Sequence, residues 1–60
     1  MTDISKLQLS DRARNALRRS DINTVEQLSQ MTPAEIGAIR GVGVVLYNEI
    51  MTKYRDFTQK

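Results

Sequence analysis

The chain has 60 residues, with nine Lys and Arg against seven Asp and Glu and a net charge of +2 at pH 7. Cysteine and histidine are both absent, which excludes disulfides, Cys/His zinc sites, thiol nucleophiles and histidine acid–base catalysis. A single domain of this size buries only about 60% of its unfolded surface and has no room for a deep catalytic cavity. The acidic residues form neither a close pair nor a cluster with metal-ligand spacing, so we expect no enzyme activity, no cofactor and no metal.

Nothing in the hydropathy of the sequence indicates a membrane protein. The longest apolar run, interrupted only by a glycine, covers residues 42–47, whereas a membrane-spanning helix needs roughly 20 apolar residues. Met1 is followed by polar residues, not by the apolar core of a signal peptide. We therefore expect a cytoplasmic protein with no membrane partner.

The first part of the sequence predicts a polar start, one helix and a turn. Residues 1–6 are expected to be a flexible N-terminal segment. Ser10 is the predicted N-cap of a helix over residues 11–19. The apolar residues of this helix recur at i, i+3 and i+4 and are expected to face the core: Ala13, Ala16 and Leu17. Residues 21–23 have the composition of a turn.

Two capping-box signatures predict where the next two helices begin. Each pairs a threonine with an amide or acid three residues later: Thr24 with Gln27, and Thr32 with Glu35. The first opens a short helix to about residue 30, with Val25 and Leu28 facing inward. The second has Pro33 at the first helical position, where the missing N–H is of no consequence, and predicts a third helix that ends near Arg40.

The sequence Gly-Val-Gly at residues 41–43 separates the third helix from a predicted fourth helix over residues 44–57. Glycine tolerates positive φ and lacks a Cβ, so the backbone can approach a neighbouring surface while the next helix starts with outward-pointing N–H groups that suit a phosphate. The same turn also serves as a plain connector between core helices. Tyr47, Ile50 and Tyr54 form the predicted core stripe of the fourth helix. The pattern favours an all-α, compact domain of four short helices with a helix-hairpin-helix.

The basic residues are concentrated on the first predicted helix, which carries four arginines: Arg12, Arg14, Arg18 and Arg19. A cluster of this kind is most often a solvated helix face. The net charge of the protein is too small to establish nucleic-acid binding.

Several stretches together resemble a known family. Residues 9–18 read LSDRARNALR and residues 22–28 read INTVEQL; a threonine-capped helix, Gly43 and the pair Glu49-Ile50 follow in order. This order of features, over about residues 7–56, is similar to the C-terminal domain of the bacterial RNA polymerase alpha subunit.

The resemblance implies a four-helix domain over residues 7–57, with residues 58–60 as a tail. It also implies docking in the DNA minor groove at A·T-rich upstream promoter elements, contacts with transcription activators, and a place in the bacterial or phage cytosol.

The resemblance assigns five DNA-binding positions to this sequence. The family's groove-inserting arginine corresponds to Arg12, and its base- and backbone-contacting asparagine to Asn15. These two share one helix face, and the narrow groove of A·T-rich DNA attracts arginine through its negative potential. A further basic position of the family corresponds to Arg18. Gly43 corresponds to the glycine whose amide meets a phosphate, and Glu49 to an acidic position thought to orient the arginine.

The sequence departs from the family after the hairpin glycine. The family commonly has two lysines and a serine there, all facing phosphates, where this protein has Val44, Val45 and Leu46. The loss of two lysine contacts removes roughly 1.8 units of salt dependence, so DNA binding is expected to be weaker than the family norm. Arg40, just before the turn, is expected to restore one DNA contact.

Val44, Val45 and Leu46 also predict a protein contact, because a helix with Tyr47 in its inward stripe cannot bury all three. One alternative is an exposed apolar patch for a partner. The other is that Leu46 folds under beside Ile50 and Val44 lies against Val42, which leaves only Val45 outside.

Two functional hypotheses follow. The first is a DNA-binding module of the transcription machinery that uses the first helix and the glycine hairpin. The second is a protein-interaction module on the same scaffold, which has lost strong DNA binding and contacts a polymerase subunit, a transcription regulator or a second copy through the patch at residues 44–46. In both, the protein is expected to be a monomer or a weak dimer.

Overall fold

The computed structural model describes residues 1–59. Within this range four α-helices follow a short 3-10 helix over Ile4–Leu7. The helices are α1 (Asp11–Arg19), α2 (Val25–Ser29), α3 (Pro33–Gly37) and α4 (Val44–Thr58). The described residues contain no β-strand, only an isolated antiparallel bridge between Asp3 and Thr24. The all-α prediction is confirmed.

The first three α-helices begin at the predicted capping residues. The Ser10 hydroxyl accepts a hydrogen bond from the N–H of Ala13 at 3.3 Å. Both capping boxes are formed in full, that of Thr24 before α2 and that of Thr32 before α3. These local bonds satisfy N–H groups that a helix start otherwise leaves open.

The core lies where the 3-10 helix and the α-helices meet. Its largest fully buried side chains come from four different elements: Ile4, Leu17, Leu28 and Ile50. On α4, the two tyrosines of the predicted stripe are half-buried and pack against this core. The stripes predicted for α1, α2 and α4 are therefore confirmed.

The N-terminal segment differs from the expectation of a flexible start over residues 1–6. Ile4 is completely buried and Leu7 is 3% exposed, because the 3-10 helix turns both into the core. The N–H of Val25 donates to the carbonyl of Thr2 at 2.7 Å. Two apolar residues three positions apart are too short a pattern to predict a helix. The polar residues around them therefore decided the prediction of a flexible segment.

The third helix is shorter than predicted, because it ends at Gly37 instead of near Arg40. Beyond it the hydrogen bonds tighten to three-residue spacing, from Ile39 N–H to Ile36 and from Val42 N–H to Ile39. We call residues 38–43 the glycine turn. It brings Ile39 into the core and leads the backbone to the start of α4.

The last helix runs one residue further than predicted and includes Thr58. Of the tail predicted over residues 58–60, Thr58 is thus helical, Gln59 is the C-cap, and Lys60 lies outside the described residues. None of the helices within residues 1–59 has the length and apolar character needed to cross a bilayer.

Candidate nucleic-acid interface

A surface groove lies between α1 and the glycine turn, and we call it the arginine groove. Its α1 residues recur at i, i+3, i+4 and i+7, so they share one helix face. The opposite wall comes from the glycine turn and the first turn of α4. The lining residues are Arg12, Asn15, Ala16, Arg19, Gly41 and Leu46.

Gly41 is the glycine that the turn requires. Its φ is +90°, in the left-handed region that side chains disfavour. A Cβ at this position would lie 3.9 Å from the Cβ of Ala16, which is an ordinary contact. The requirement is therefore one of backbone conformation, and it places Gly41 against α1.

Gly43 has no such requirement. Its backbone is extended, with φ −92° and ψ −174°, and a Cβ added there would meet no atom of residues 1–59 within 4 Å. The sequence argument for positive φ therefore applies to Gly41 and not to Gly43.

Arg12 and Asn15 are brought together as predicted, on the exposed face of α1 that lines the arginine groove. Within residues 1–59, neither side chain has a hydrogen bond or ion pair. Both polar groups are thus available to a ligand.

Arg18, predicted as a DNA contact, lies outside the arginine groove. Its guanidinium donates to the Asp3 carboxylate at 3.1 Å and to the side-chain oxygen of Asn23 at 3.2 Å. Hydrogen bonds from Ser5 and then from Arg18 lower the pKa of Asp3 to about 2. Arg18 therefore ties α1 to the N-terminal segment, and its charge is already neutralised by a neighbour.

Arg19 was not predicted as a site residue, yet it lines the arginine groove. It has no ion pair within residues 1–59, whereas Arg14 pairs with Asp11 at 2.7 Å. The four arginines of α1 thus divide into two paired ones outside the groove and two unpaired ones inside it. The spacing of seven from Arg12 could have revealed Arg19, but the family resemblance pointed to its neighbour.

Glu49 contacts Ser10 instead of the arginine that it was expected to orient. Its two carboxylate oxygens accept from the backbone N–H and from the hydroxyl of Ser10, the latter at 3.0 Å. No ion pair joins Glu49 to Arg12 in the part of the protein that the structure describes. Glu49 therefore fixes the N-terminus of α1 on α4 and acts on Arg12 only through the position of the helix.

The remaining predicted DNA residues lie on the glycine turn. Arg40 is exposed and directly precedes Gly41, but it is not among the residues that line the arginine groove. Gly43 faces a second groove between α3 and α4, which we call the apolar groove. Its apolar lining includes Pro33, Ala34, Gly37, Val42, Val44 and Tyr47.

The three residues that replace the family's lysines and serine do not form one patch. Val44 and Val45 are 77% and 78% exposed. Leu46 is half-buried, packs against the core and faces the arginine groove. The outcome lies between the two alternatives from the sequence, because Leu46 folds under as one of them required while Val44 stays exposed beside Val42.

The fold and the arginine groove together define a small all-α domain with an arginine-lined surface groove. The family described as the C-terminal domain of the bacterial RNA polymerase alpha subunit matches residues 1–56. The protein belongs to this family, which is a non-catalytic DNA-binding and interaction domain of the transcription machinery.

Relatives of the protein are alpha subunits of DNA-directed RNA polymerase. The subunit of Malacoplasma penetrans is 42% identical over 53 residues, which is 88% of this sequence and 16% of the relative. That of a Mycoplasma species is 36% identical over 59 residues, 98% of this sequence and 17% of the relative. That of Oenococcus oeni is 40% identical over 53 residues, 88% of this sequence and 17% of the relative. The sequence thus spans about a sixth of these relatives' length, and no solved structure gives a significant match.

Proposed function

We propose that the protein is a DNA-binding module of the transcription machinery that docks in the minor groove of A·T-rich DNA through the arginine groove. The observation that carries the proposal is the convergence of unpaired Arg12 and Asn15 with the glycine turn in one groove. An arginine side chain with no internal partner enters the negative potential of a narrow minor groove without first losing an ion pair.

The start of α4 supports a backbone contact beside this groove. Within residues 1–59, the first N–H groups of this 15-residue helix receive no capping bond from a side chain, and such groups favour a phosphate. The open space around Gly43 would admit a phosphate to its amide, since glycine permits close approach. The assignment of α3, the glycine turn and α4 as a helix-hairpin-helix belongs to this proposal.

The affinity proposed for DNA is below the family norm. Val44 and Val45 are exposed at the positions where the family commonly carries lysines, and neither can neutralise a phosphate. Two missing contacts reduce the dependence of log affinity on log salt by roughly 1.8. Arg40 is proposed to offset part of this loss from its exposed place in the glycine turn.

The protein partners proposed are RNA polymerase subunits or transcription regulators, in the cytosol of bacteria or of phage-infected cells. The relatives are named as subunits of DNA-directed RNA polymerase, and this sequence corresponds to one domain of them. We propose a monomer or a weak dimer.

An NMR titration of the labelled protein with an A·T-rich duplex, at low and at physiological salt, tests the DNA proposal. Shifts should cluster on Arg12, Asn15 and Gly43, weaken as salt rises, and disappear in Arg12→Ala. The matched control is Arg14→Ala, which removes the same charge from the same helix outside the groove. Absence of shifts at low salt would rule out the minor-groove function.

A second candidate function is protein binding through Val44 and Val45. The large exposure of both valines beside the apolar groove favours it. Self-contact through this surface predicts concentration-dependent shifts at Val44, Val45 and Tyr47 that change little with salt, since apolar association is not a charge effect. Val44→Ser should abolish these shifts, and shifts that persist in that variant would rule out this surface.

A further inference from the structure

We infer that Arg19, and not Arg18, is the second DNA-contacting arginine of α1, and that it binds a backbone phosphate in place of the missing hairpin lysines. This inference rests on the proposed DNA binding and names a residue to which the family resemblance gives no role. Three observations lead to it: the position of Arg19 in the groove, its lack of a partner, and the exposed valines at the start of α4.

The position of Arg19 suits a flanking phosphate. Seven residues separate it from Arg12, a distance of about 10 Å along the helix axis. The minor groove of B-DNA is about 6 Å wide. When α1 crosses the groove with Arg12 between its walls, Arg19 therefore stands level with a sugar-phosphate backbone.

The surroundings of the α1 arginines separate them further. The carboxylate of Asp3 lies 3.1 Å from the guanidinium of Arg18, and a phosphate approaching Arg18 would meet this negative charge. Arg14 has the same disadvantage beside Asp11. Arg19 has no acidic partner within residues 1–59, so its charge is fully available to an anion.

The wall opposite Arg19 explains why this position would gain importance here. Gly41 and Leu46 form that wall, and Leu46 stands where the family commonly has a phosphate-facing serine. With valines in place of the two lysines before it, the start of α4 offers only backbone N–H groups. Arg19 supplies a cation to the same groove from the α1 side. It would thus replace the missing lysines in space, although it lies far from them in the sequence.

The test compares Arg18→Ala with Arg19→Ala, two variants that remove the same charge from adjacent positions of one helix. The dissociation constant for an A·T-rich duplex is measured by fluorescence anisotropy from 50 to 200 mM salt, after the NMR spectrum has shown that each variant is folded. Arg19→Ala should make the slope of log affinity against log salt shallower by about 0.9. Over this range wild-type affinity should therefore fall about 3.5-fold more than that of Arg19→Ala. Arg18→Ala should keep the wild-type slope.

Further variants make each outcome decisive. Arg19→Lys should retain the slope, because a phosphate contact needs only the charge. Arg14→Ala replaces Arg18→Ala as the paired control if removal of the Asp3 contact unfolds the protein. Equal slopes for Arg19→Ala and the paired control would overturn the inference while the proposed function stands, provided that Arg12→Ala abolishes binding. No binding by the wild type would overturn both.

Discussion

Glu49 joins the last helix to the first through one side chain. Both of its oxygens accept hydrogen bonds from Ser10, the residue that caps α1. Its negative charge at this end of the helix is also favourable for the helix dipole. Arg12 follows Ser10 by two residues. Glu49 therefore helps to fix the position of Arg12 in the arginine groove, although Glu49 does not line that groove itself.

Replacing Glu49 by Ala should lower the free energy of unfolding by about 1–2 kcal/mol, because a charged acceptor of two hydrogen bonds is lost. Urea unfolding measures the change. Asp56→Ala is the control, since Asp56 is exposed on the same helix and has no hydrogen bond or ion pair within residues 1–59. The control should change stability by less than about 0.5 kcal/mol. Equal losses of unfolding free energy in Glu49→Ala and Asp56→Ala would show that the hydrogen bonds from Ser10 add nothing to the effect of a negative charge on this helix.

Asp3 contributes a pH dependence to the stability, as does Glu26, whose pKa is lowered by a hydrogen bond from the backbone N–H of Thr2. Hydrogen bonds from Ser5, then from Arg18, lower the pKa of Asp3 from 3.8 to about 2. The unfolded state therefore takes up this proton first as the pH falls. The resulting stabilisation is complete above about pH 4 and is lost as the pH falls towards 2.

In Asp3→Asn the decrease in melting temperature between pH 4 and pH 2 should be smaller than in the wild type, because the titrating group is gone. Thermal unfolding followed by circular dichroism at pH 5, 4, 3 and 2 measures it. Asp56→Asn, with no hydrogen-bonding partner in the described residues, should retain the wild-type decrease. A wild-type decrease in Asp3→Asn would mean that other carboxylates account for the acid sensitivity.

At the scale of elements, the glycine turn contains one glycine that the fold requires and one that the fold leaves unconstrained. Gly41 has φ +90° and faces α1. Gly43 has an extended backbone in open space. The two glycines are two residues apart, yet substitutions at them should affect different properties of the domain.

Gly41→Ala should destabilise the domain by about 1–2 kcal/mol, because alanine is strained in the left-handed region. Gly43→Ala should leave the free energy of unfolding within about 0.5 kcal/mol of wild type but weaken DNA binding, since its Cβ would stand where the phosphate approaches. Urea unfolding and anisotropy separate the two effects. Unchanged DNA binding in Gly43→Ala would remove its amide from the proposed interface.

The elements that the sequence predicted are those set by neighbours in sequence. The Ser10 cap, both capping boxes and the apolar stripes act over three or four residues, and each is present in the structure. The 3-10 helix was missed because Ile4 and Leu7 are buried by contacts with distant residues. The end of α3 was predicted too late because Ile39, three residues after Ile36, continues the apolar pattern of the helix into the turn, where it is buried as well.

Prediction of the candidate site was limited in the same way, because contacts between residues distant in sequence leave no local pattern. The family resemblance assigned Arg12 and Asn15, and their spacing of three residues predicted that they share one helix face, as they do in the structure. Arg18 was assigned to DNA by the family resemblance. The sequence did not reveal its pairing with Asp3, because Asp3 lies 15 residues away in a segment that was expected to be flexible. A pattern within one helix cannot show which of two adjacent arginines is neutralised from outside.

At the scale of the whole molecule, the net charge of +2 hides an uneven distribution. The groove side of α1 has two unpaired arginines, while the start of α4 presents two exposed valines. A duplex that contacts both α1 and the start of α4 therefore meets positive side chains on α1 but apolar ones at the start of α4. DNA affinity should accordingly depend on where a cation is added as well as on how many are added.

Val44→Lys/Val45→Lys should bind an A·T-rich duplex more tightly than wild type, with a salt dependence steeper by roughly 1.8. Both side chains are more than three-quarters exposed, so the fold should tolerate the change. Thr52→Lys/Gln59→Lys adds the same charge to the C-terminal half of α4 and to its C-cap, and should leave the slope nearly unchanged. Anisotropy titrations over a salt series measure both, and equal slopes would mean that only net charge matters.

The two contacts that hold α1 have a thermodynamic consequence for binding. Glu49 fixes its N-terminus through Ser10, and Asp3 holds its C-terminal half through Arg18. The helix is therefore ordered before any ligand arrives, and complex formation does not have to offset the entropy of folding a segment. Coupled folding produces a large negative heat-capacity change on binding. Because α1 is already ordered, calorimetry of the DNA complex should show only a small heat-capacity change, as expected when a rigid protein surface binds a DNA groove of opposite charge.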